Sequence, residues 1–189
     1  MTEFLSLTDE QTEFVYNNFM KTDFPPAELK PLSFIRKAVN NGIYTCYGLF
    51  CDNVFLGYLF LEKLKDSDDY LVDYLAVVSE HRNKGLGSKI LMLLKKEIPN
   101  AKSILVEVED PDHAENEDDK VLQTRRYNFY TRNGFRDTEL RAECYGVPFR
   151  IIETGTNLMH TKEETERLYR MHYKAMWPKK MYETKLFTY

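Results

Sequence analysis

Hydrophobic positions change their period several times along this chain, and each change marks an element. In LSLTDEQTEFVYNNF, Thr8 precedes Phe14, Val15 and Phe19 at helical spacing, which predicts a helix capped at Thr8. Pro25 and Pro26 end that pattern, and ELKPLSFIRKAVNNG predicts a second short helix closing near Asn41-Gly42. The runs IYTCYGLF (43–50) and VFLGYLFLEKL (54–64) flank Cys51-Asp52-Asn53, a hairpin signature. YLVDYLAVV (70–78) is apolar on both faces except at Asp73, as in a central strand covered on both sides.

The helical period returns at 85–98, where Leu86, Ile90, Leu93, Leu94 and Ile98 share a face and Pro99 stops the run. SILVEVE (103–109) alternates, with Glu107 and Glu109 on the face opposite Ile104, Val106 and Val108. An acidic stretch to Asp119 separates it from a predicted helix at 121–133, with Gly134 as the C-terminal turn residue. Two strands fit between 135 and 156, and residues 161–176 predict a terminal helix ended by Trp177-Pro178. A hairpin followed by alternating helices and strands implies an α/β fold with a mixed sheet.

Composition narrows the function classes. A 189-residue chain that is 43% hydrophobic and 30% charged suits a globular protein with a real core. A formal net charge of −4 gives no global attraction to nucleic acid or to anionic membranes. The longest apolar run, VFLGYLFL, falls well below the ~18–20 residues of a membrane span, and the N-terminus carries acids where a signal peptide would carry bases. The expectation is a cytoplasmic protein that binds neither nucleic acid nor membrane. Cys46, Cys51 and Cys144 form no CxxC; Cys46 and Cys51 read as small side chains in apolar runs, and Cys144 has no histidine near it in sequence. His81, His113, His160 and His172 have no metal-ligand spacing, so no metal is expected.

The stretch that calls for explanation is RNKGLG (82–87), between a strand and a helix. A glycine weakens a helix by about 1 kcal/mol relative to alanine, so two at a helix start argue for a compensating use. Bare helix-start amides bind anions, and Arg82, Lys84 and Lys89 add charge. A P-loop is excluded by LGSKI after Gly85, and a dinucleotide fingerprint by Ile90 at its third glycine position. What remains is R-x-x-G-x-G, joined downstream by RRYNFYTRNGF (125–135), in which Phe129-Tyr130 precedes Gly134-Phe135. Together these resemble the GNAT superfamily of acyl-CoA-dependent N-acyltransferases, whose motifs are Q/R-x-x-G-x-G/A and F-Y-x-x-x-G-F.

The resemblance covers roughly residues 1–156, and implies a GNAT domain over 1–157 with a C-terminal helical extension at 158–189. It implies a mostly antiparallel central sheet flanked by helices, with central strands splayed to form an acetyl-CoA cleft. Acetyl-CoA would be the cosubstrate. Arg82, Asn83, Lys84, Gly85, Leu86, Gly87 and Ser88 would hold its diphosphate, and main chain at Leu75, Ala76, Val77 and Val78 would pair with its pantetheine arm. Where the family often has Asn and Ala on the later helix, this chain has Gln123 and Arg126; Gln123 remains a cofactor candidate, with Phe129 packing beside the arm.

Amide formation from a thioester needs a base for the amine, donors for the oxyanion and a proton for the thiolate. The resemblance gives the oxyanion to a backbone amide near Val77 and the proton to Tyr130, with Tyr127 as fallback donor. Asp73, Glu107 and Glu109 are candidate bases, directly or through water. Residues 107–119 hold eight acids in thirteen positions, which is either a solvated loop or an attraction for a cationic small-molecule amine. Glu28, in DFPPAELK, is a further acceptor-side candidate. Acetylation of a protein or peptide amine, and non-catalytic acyl-CoA binding, are the alternative functions. The apolar stripe of Leu168, Tyr169, Met171 and Tyr173 could pack on the chain's own sheet or on a second copy, leaving monomer or homodimer open.

Overall fold

Thr8 starts the first helix as the pattern predicts, in a reciprocal capping box with Gln11. The structure, a computed structural model, describes residues 2–26, 28–156 and 160–189. The chain divides into two compact units, Met1–Lys65 with Val72–Pro99 and Asp66–Leu71 with Asn100–Tyr189.

The first unit opens with β1 (Thr2–Ser6), which the hydrophobic pattern does not announce, and α1 (Asp9–Val15). A wide π-helical turn, Tyr16–Met20, leads to the single turn α2 (Lys21–Asp23), and Pro31 precedes α3 (Leu32–Asn40). The expected hairpin is β2 (Tyr44–Cys51) and β3 (Val54–Lys63), turning through Asp52 and Asn53, both at positive φ. β4 (Asp69–Val77), which belongs to this unit from Val72 onward, and α4 (Leu86–Glu97) complete it. Its strand order is β1-β2-β3-β4, with β1–β2 and β2–β3 antiparallel. Ile90, Leu91 and Leu94 are the buried residues of α4, while Leu86, Leu93 and Ile98 are half-buried.

In the second unit β5 (Ser103–Glu109) precedes α5 (Glu117–Arg132). This helix starts four residues before the predicted Val121, because Asn116 caps it and accepts from the Asp119 amide at 2.9 Å. Glu117, Asp118 and Asp119 thus form a first turn favoured by the helix dipole. Three of the eight acids at 107–119 therefore belong to the helix start, not to a loop. β6 (Arg136–Cys144) and β7 (Val147–Thr154) follow, then α6 (Lys162–Met176), α7 (Lys179–Lys185) and β8 (Leu186–Thr188). The order is β5-β7-β6-β8, every pair antiparallel, so β7 lies between β5 and its hairpin partner β6.

The sequence-suggested boundary at 157/158 falls outside the described residues. The helix beyond it belongs to the second compact unit. α6 begins in a Thr161–Glu164 capping box and buries Leu168, Tyr169, Tyr173 and Met176, whereas Met171 faces outward. Apart from Met171, the apolar stripe is therefore buried within its own unit. Leu168→Ala should lower unfolding free energy by about 2–4 kcal/mol, as expected for a buried leucine. Urea denaturation checks this, and a loss below about 0.5 kcal/mol would show that α6 does not share that unit's core.

Candidate functional site: the RNKGLG turn and the carboxylate and tyrosine clusters

Gly85 is the N-cap of α4 and lies at φ +78°, in the left-handed region. A Cβ there would meet nothing within 4 Å, so conformation rather than space requires glycine. The helix has no side-chain cap, and the Gly85 carbonyl accepts from the Lys89 amide at 3.1 Å. The amides of Leu86, Gly87 and Ser88 belong to the first turn, where a helix supplies no internal acceptor. Asn83 also has positive φ, 64°. The loop's cations turn back onto the protein: Lys84 donates to the Glu80 carbonyl at 2.9 Å and Lys89 to Thr2 Oγ1 at 2.8 Å. Arg82 donates to the Val77 carbonyl at 2.9 Å and to Asp23 at 2.6 Å.

At the end of β4, Leu75, Ala76 and Val77 are half-buried after a mostly buried run, and the Val78 amide donates to the Leu56 carbonyl at 3.0 Å. Gly57 of β3 makes room for this strand end. A Cβ on Gly57 would lie 2.6 Å from the Ala76 oxygen and 3.2 Å from Val77 Cα. Its signal in the sequence is a glycine inside an otherwise apolar strand, which marks close backbone approach.

Asp73 has a side chain only 5% exposed, and it is fully partnered. Lys30 Nζ donates to Oδ1 at 2.5 Å, and the Tyr44 hydroxyl donates to Oδ2. Lys30 lies over the Tyr74 ring, and Tyr74 in turn accepts from the Lys30 amide and donates to the Glu28 carbonyl, both at 2.8 Å. This ties Glu28 and Lys30 to β4. Nothing in the local sequence marks Lys30, since its partners lie more than forty residues away.

In the second unit, Glu107 Oε1 accepts from the hydroxyls of Tyr169 and, at 2.5 Å, Tyr173. Burial and the Glu107 charge hold both phenols far above their usual pKa, so they stay donors. Cys144 is buried and accepts from Tyr173 at 3.1 Å, which engages the sulfur in structure. In the other unit, burial pushes the Cys46 thiol up to about 12, so it is no nucleophile. Glu109 pairs with Arg126. The Tyr127 hydroxyl donates to Asp137 at 3.3 Å, and the Arg150 guanidinium lies over its ring.

Tyr130 stands apart from these. Its half-buried ring packs edge-on against Phe129 and Phe135, with centroids 4.9 and 5.3 Å away. Its hydroxyl makes no hydrogen bond among the described residues. Burial raises its pKa, opposed by the Arg126 charge, so the phenol is protonated at neutral pH. Seven residues earlier, Gln123 Oε1 is buried and accepts from nothing among the described residues. A buried unpartnered acceptor and a free phenol on the same helix suit a bound group that brings its own donors. Among the described residues, no group of three His, Cys, Asp or Glu side chains is placed to hold a metal, and no helix is long and apolar enough to cross a membrane.

The acetyltransferase (GNAT) domain model matches residues 42–137. No curated protein matches the sequence. Among solved structures, a Bacteroides thetaiotaomicron protein assigned to the GNAT acetyltransferases is 23% identical with a TM-score of 0.73, over 94% of this chain and 99% of that one. The Escherichia coli ribosomal-protein-S18-alanine N-acetyltransferase is 19% identical with a TM-score of 0.60, over 85% and 100%. An aminoglycoside 6′-N-acetyltransferase crystallised with coenzyme A is 15% identical with a TM-score of 0.57, over 80% and 96%. The α/β architecture expected from the hydrophobic pattern is the fold of these proteins. With half of its length matched by the family model and RNKGLG and NFYTRNGF inside the matched span, the chain belongs to the GNAT acetyltransferase family.

Proposed function

We propose that this acetyltransferase moves an acetyl group from acetyl-CoA to a primary amine of a small cationic molecule, by direct attack with both substrates bound. The observation that carries the reading is the Gly85 turn, which leaves the first amides of a twelve-residue helix without a side-chain cap. Those amides, at Leu86, Gly87 and Ser88, are the proposed diphosphate ligands. Because Arg82, Lys84 and Lys89 are engaged elsewhere, amide hydrogen bonds rather than side-chain charge provide the grip. The main chain at Leu75–Val78 is the proposed partner of the pantetheine arm, and Gln123 and Phe129 of α5 are further cofactor candidates.

In the proposed reaction the neutral amine attacks the thioester carbon, a C–N bond forms, the C–S bond breaks and the thiolate takes a proton. Tyr130 is the proposed donor, supported by its free hydroxyl and its protonated state. Removing the proton from the amine falls to a carboxylate acting through water. Asp73 is neutralised by Lys30 and Glu107 is held by two phenols, whereas the Glu109–Arg126 pair is exposed enough for water to enter, at 24% and 49%. Glu109 is therefore the favoured base.

A cationic acceptor is supported by the charge left unpaired in the acidic stretch. Asp110 and Asp112 are paired with Arg150, but Glu115, Glu117 and Asp118 are exposed and make no ion pair among the described residues. Thiol release from acetyl-CoA across polyamines, aminoglycosides, basic peptides and neutral amines tests the reading. The preferred acceptor should be a small polycation, with kcat/KM falling as salt screens charges beyond ~8–10 Å. Preference for a neutral amine or a peptide would contradict that acceptor class. Tyr130→Phe should keep the fold and acetyl-CoA affinity while lowering kcat by roughly 10²-fold, the lower range for a positioned acid. A folded variant within about threefold of wild type would remove Tyr130 from the mechanism.

A further inference from the structure

Arg82 opens the R-x-x-G-x-G motif, and its charge invites assignment to the diphosphate. The structure gives that guanidinium two fixed partners within the first unit. Nε donates to the Val77 carbonyl at 2.9 Å, and Nη2 donates to Asp23 Oδ1 at 2.6 Å. Asp23 is itself held: the Tyr58 hydroxyl donates to Oδ2 at 2.8 Å. Tyr58 is completely buried, and burial with the adjacent Asp23 charge keeps its phenol protonated, so this donor is constant. The Asp23 side chain is only 11% exposed.

We propose that Asp23 is a positioning residue for the cofactor loop. Held by Tyr58, it fixes Arg82, and through Arg82 the peptide at the end of β4 where the chain turns toward Gly85. This inference rests on the reading that the 82–88 main chain binds acetyl-CoA. The peptide between Val77 and Val78 is pinned at both ends, its carbonyl by Arg82 and its amide by the Leu56 carbonyl. Four elements meet in this clasp: the end of α2, the middle of β3, the end of β4 and the motif loop.

A planar guanidinium with two of its donors on fixed acceptors holds direction as well as distance, which a lysine would not. Half-exposed ion pairs contribute little to stability, so the role is orientation, in a loop whose amides must converge on one ligand. The π-helical turn Tyr16–Met20 ends three residues before Asp23.

Asp23→Asn separates two roles for Arg82. If Asp23 merely competes with the diphosphate for the guanidinium, neutralising it should tighten coenzyme A binding. If it positions Arg82, the same change should weaken binding. Calorimetry with coenzyme A on wild type, Asp23→Asn, Arg82→Gln and the double variant decides between them. Each single change should weaken binding about five- to tenfold, and the double variant should be no weaker than Arg82→Gln alone, because the two residues act in series. Unchanged or tighter binding by Asp23→Asn, or multiplicative losses in the double variant, would overturn the proposal. Tyr58→Phe keeps the ring in the core and should weaken coenzyme A about two- to threefold, only where Asp23 is present.

Hydrogen exchange of the ligand-free protein provides a readout that does not depend on the bound species. Asp23→Asn and Arg82→Gln should each speed exchange of the 78–85 amides about tenfold while leaving the amides of β2 unchanged. Equal exchange rates would overturn the clasp even if coenzyme A binds. Failure of wild type to bind coenzyme A, with faster exchange in the variants, would instead remove the acetyl-CoA reading and leave the clasp standing.

Discussion

A helix begins with amides that nothing inside it can satisfy, and everything proposed for this protein depends on how the chain presents those amides at α4. Gly85 at φ +78° turns the main chain into the helix without a side-chain cap. Gly57 lets the preceding strand end lie against β3, since a methyl group there would collide with the Ala76 carbonyl. The cations around the turn are anchored to protein oxygens, which makes them braces of the loop. Preorganised amides lose less on binding than mobile lysines would, because their direction is set before the ligand arrives.

The same economy runs through the buried charges. Asp73 could not remain in a strand covered on both sides without Lys30 and Tyr44, because an unpaired carboxylate there would be costly. Glu107 is satisfied by two phenols from α6, so the C-terminal helix completes the polar interior of its unit as well as its apolar core. Tyr130 is the exception, with a hydroxyl that no described residue engages. That free hydroxyl is what supports Tyr130 as the proposed acid.

Much of the architecture was legible in the chain. The hairpin through Asp52-Asn53, the amphipathic α4, the alternating β5 and the terminal α6 all follow from periodicity and turn chemistry, which are local. Where expectation and structure part, a non-local or competing local term decides. α5 starts early because Asn116 outcompetes the solvated-loop reading of an acidic run. β1, α7 and β8 have no strong period of their own; β1 and β8 form by pairing with β2 and β6. The motif residues were visible, but what they do was not. Arg82 was legible as a charge, whereas its partners Asp23 and Val77 required the fold, as did Lys30 for Asp73.

The claim that α4's first amides are the cofactor-binding element can be tested at single-residue resolution. Titrating coenzyme A into the uniformly ¹⁵N-labelled protein and following amide resonances reports on each N–H directly. The Leu86, Gly87 and Ser88 amides should move furthest downfield, as amides do when they donate to phosphate oxygens. Saturable coenzyme A binding that leaves those three resonances in place would contradict it.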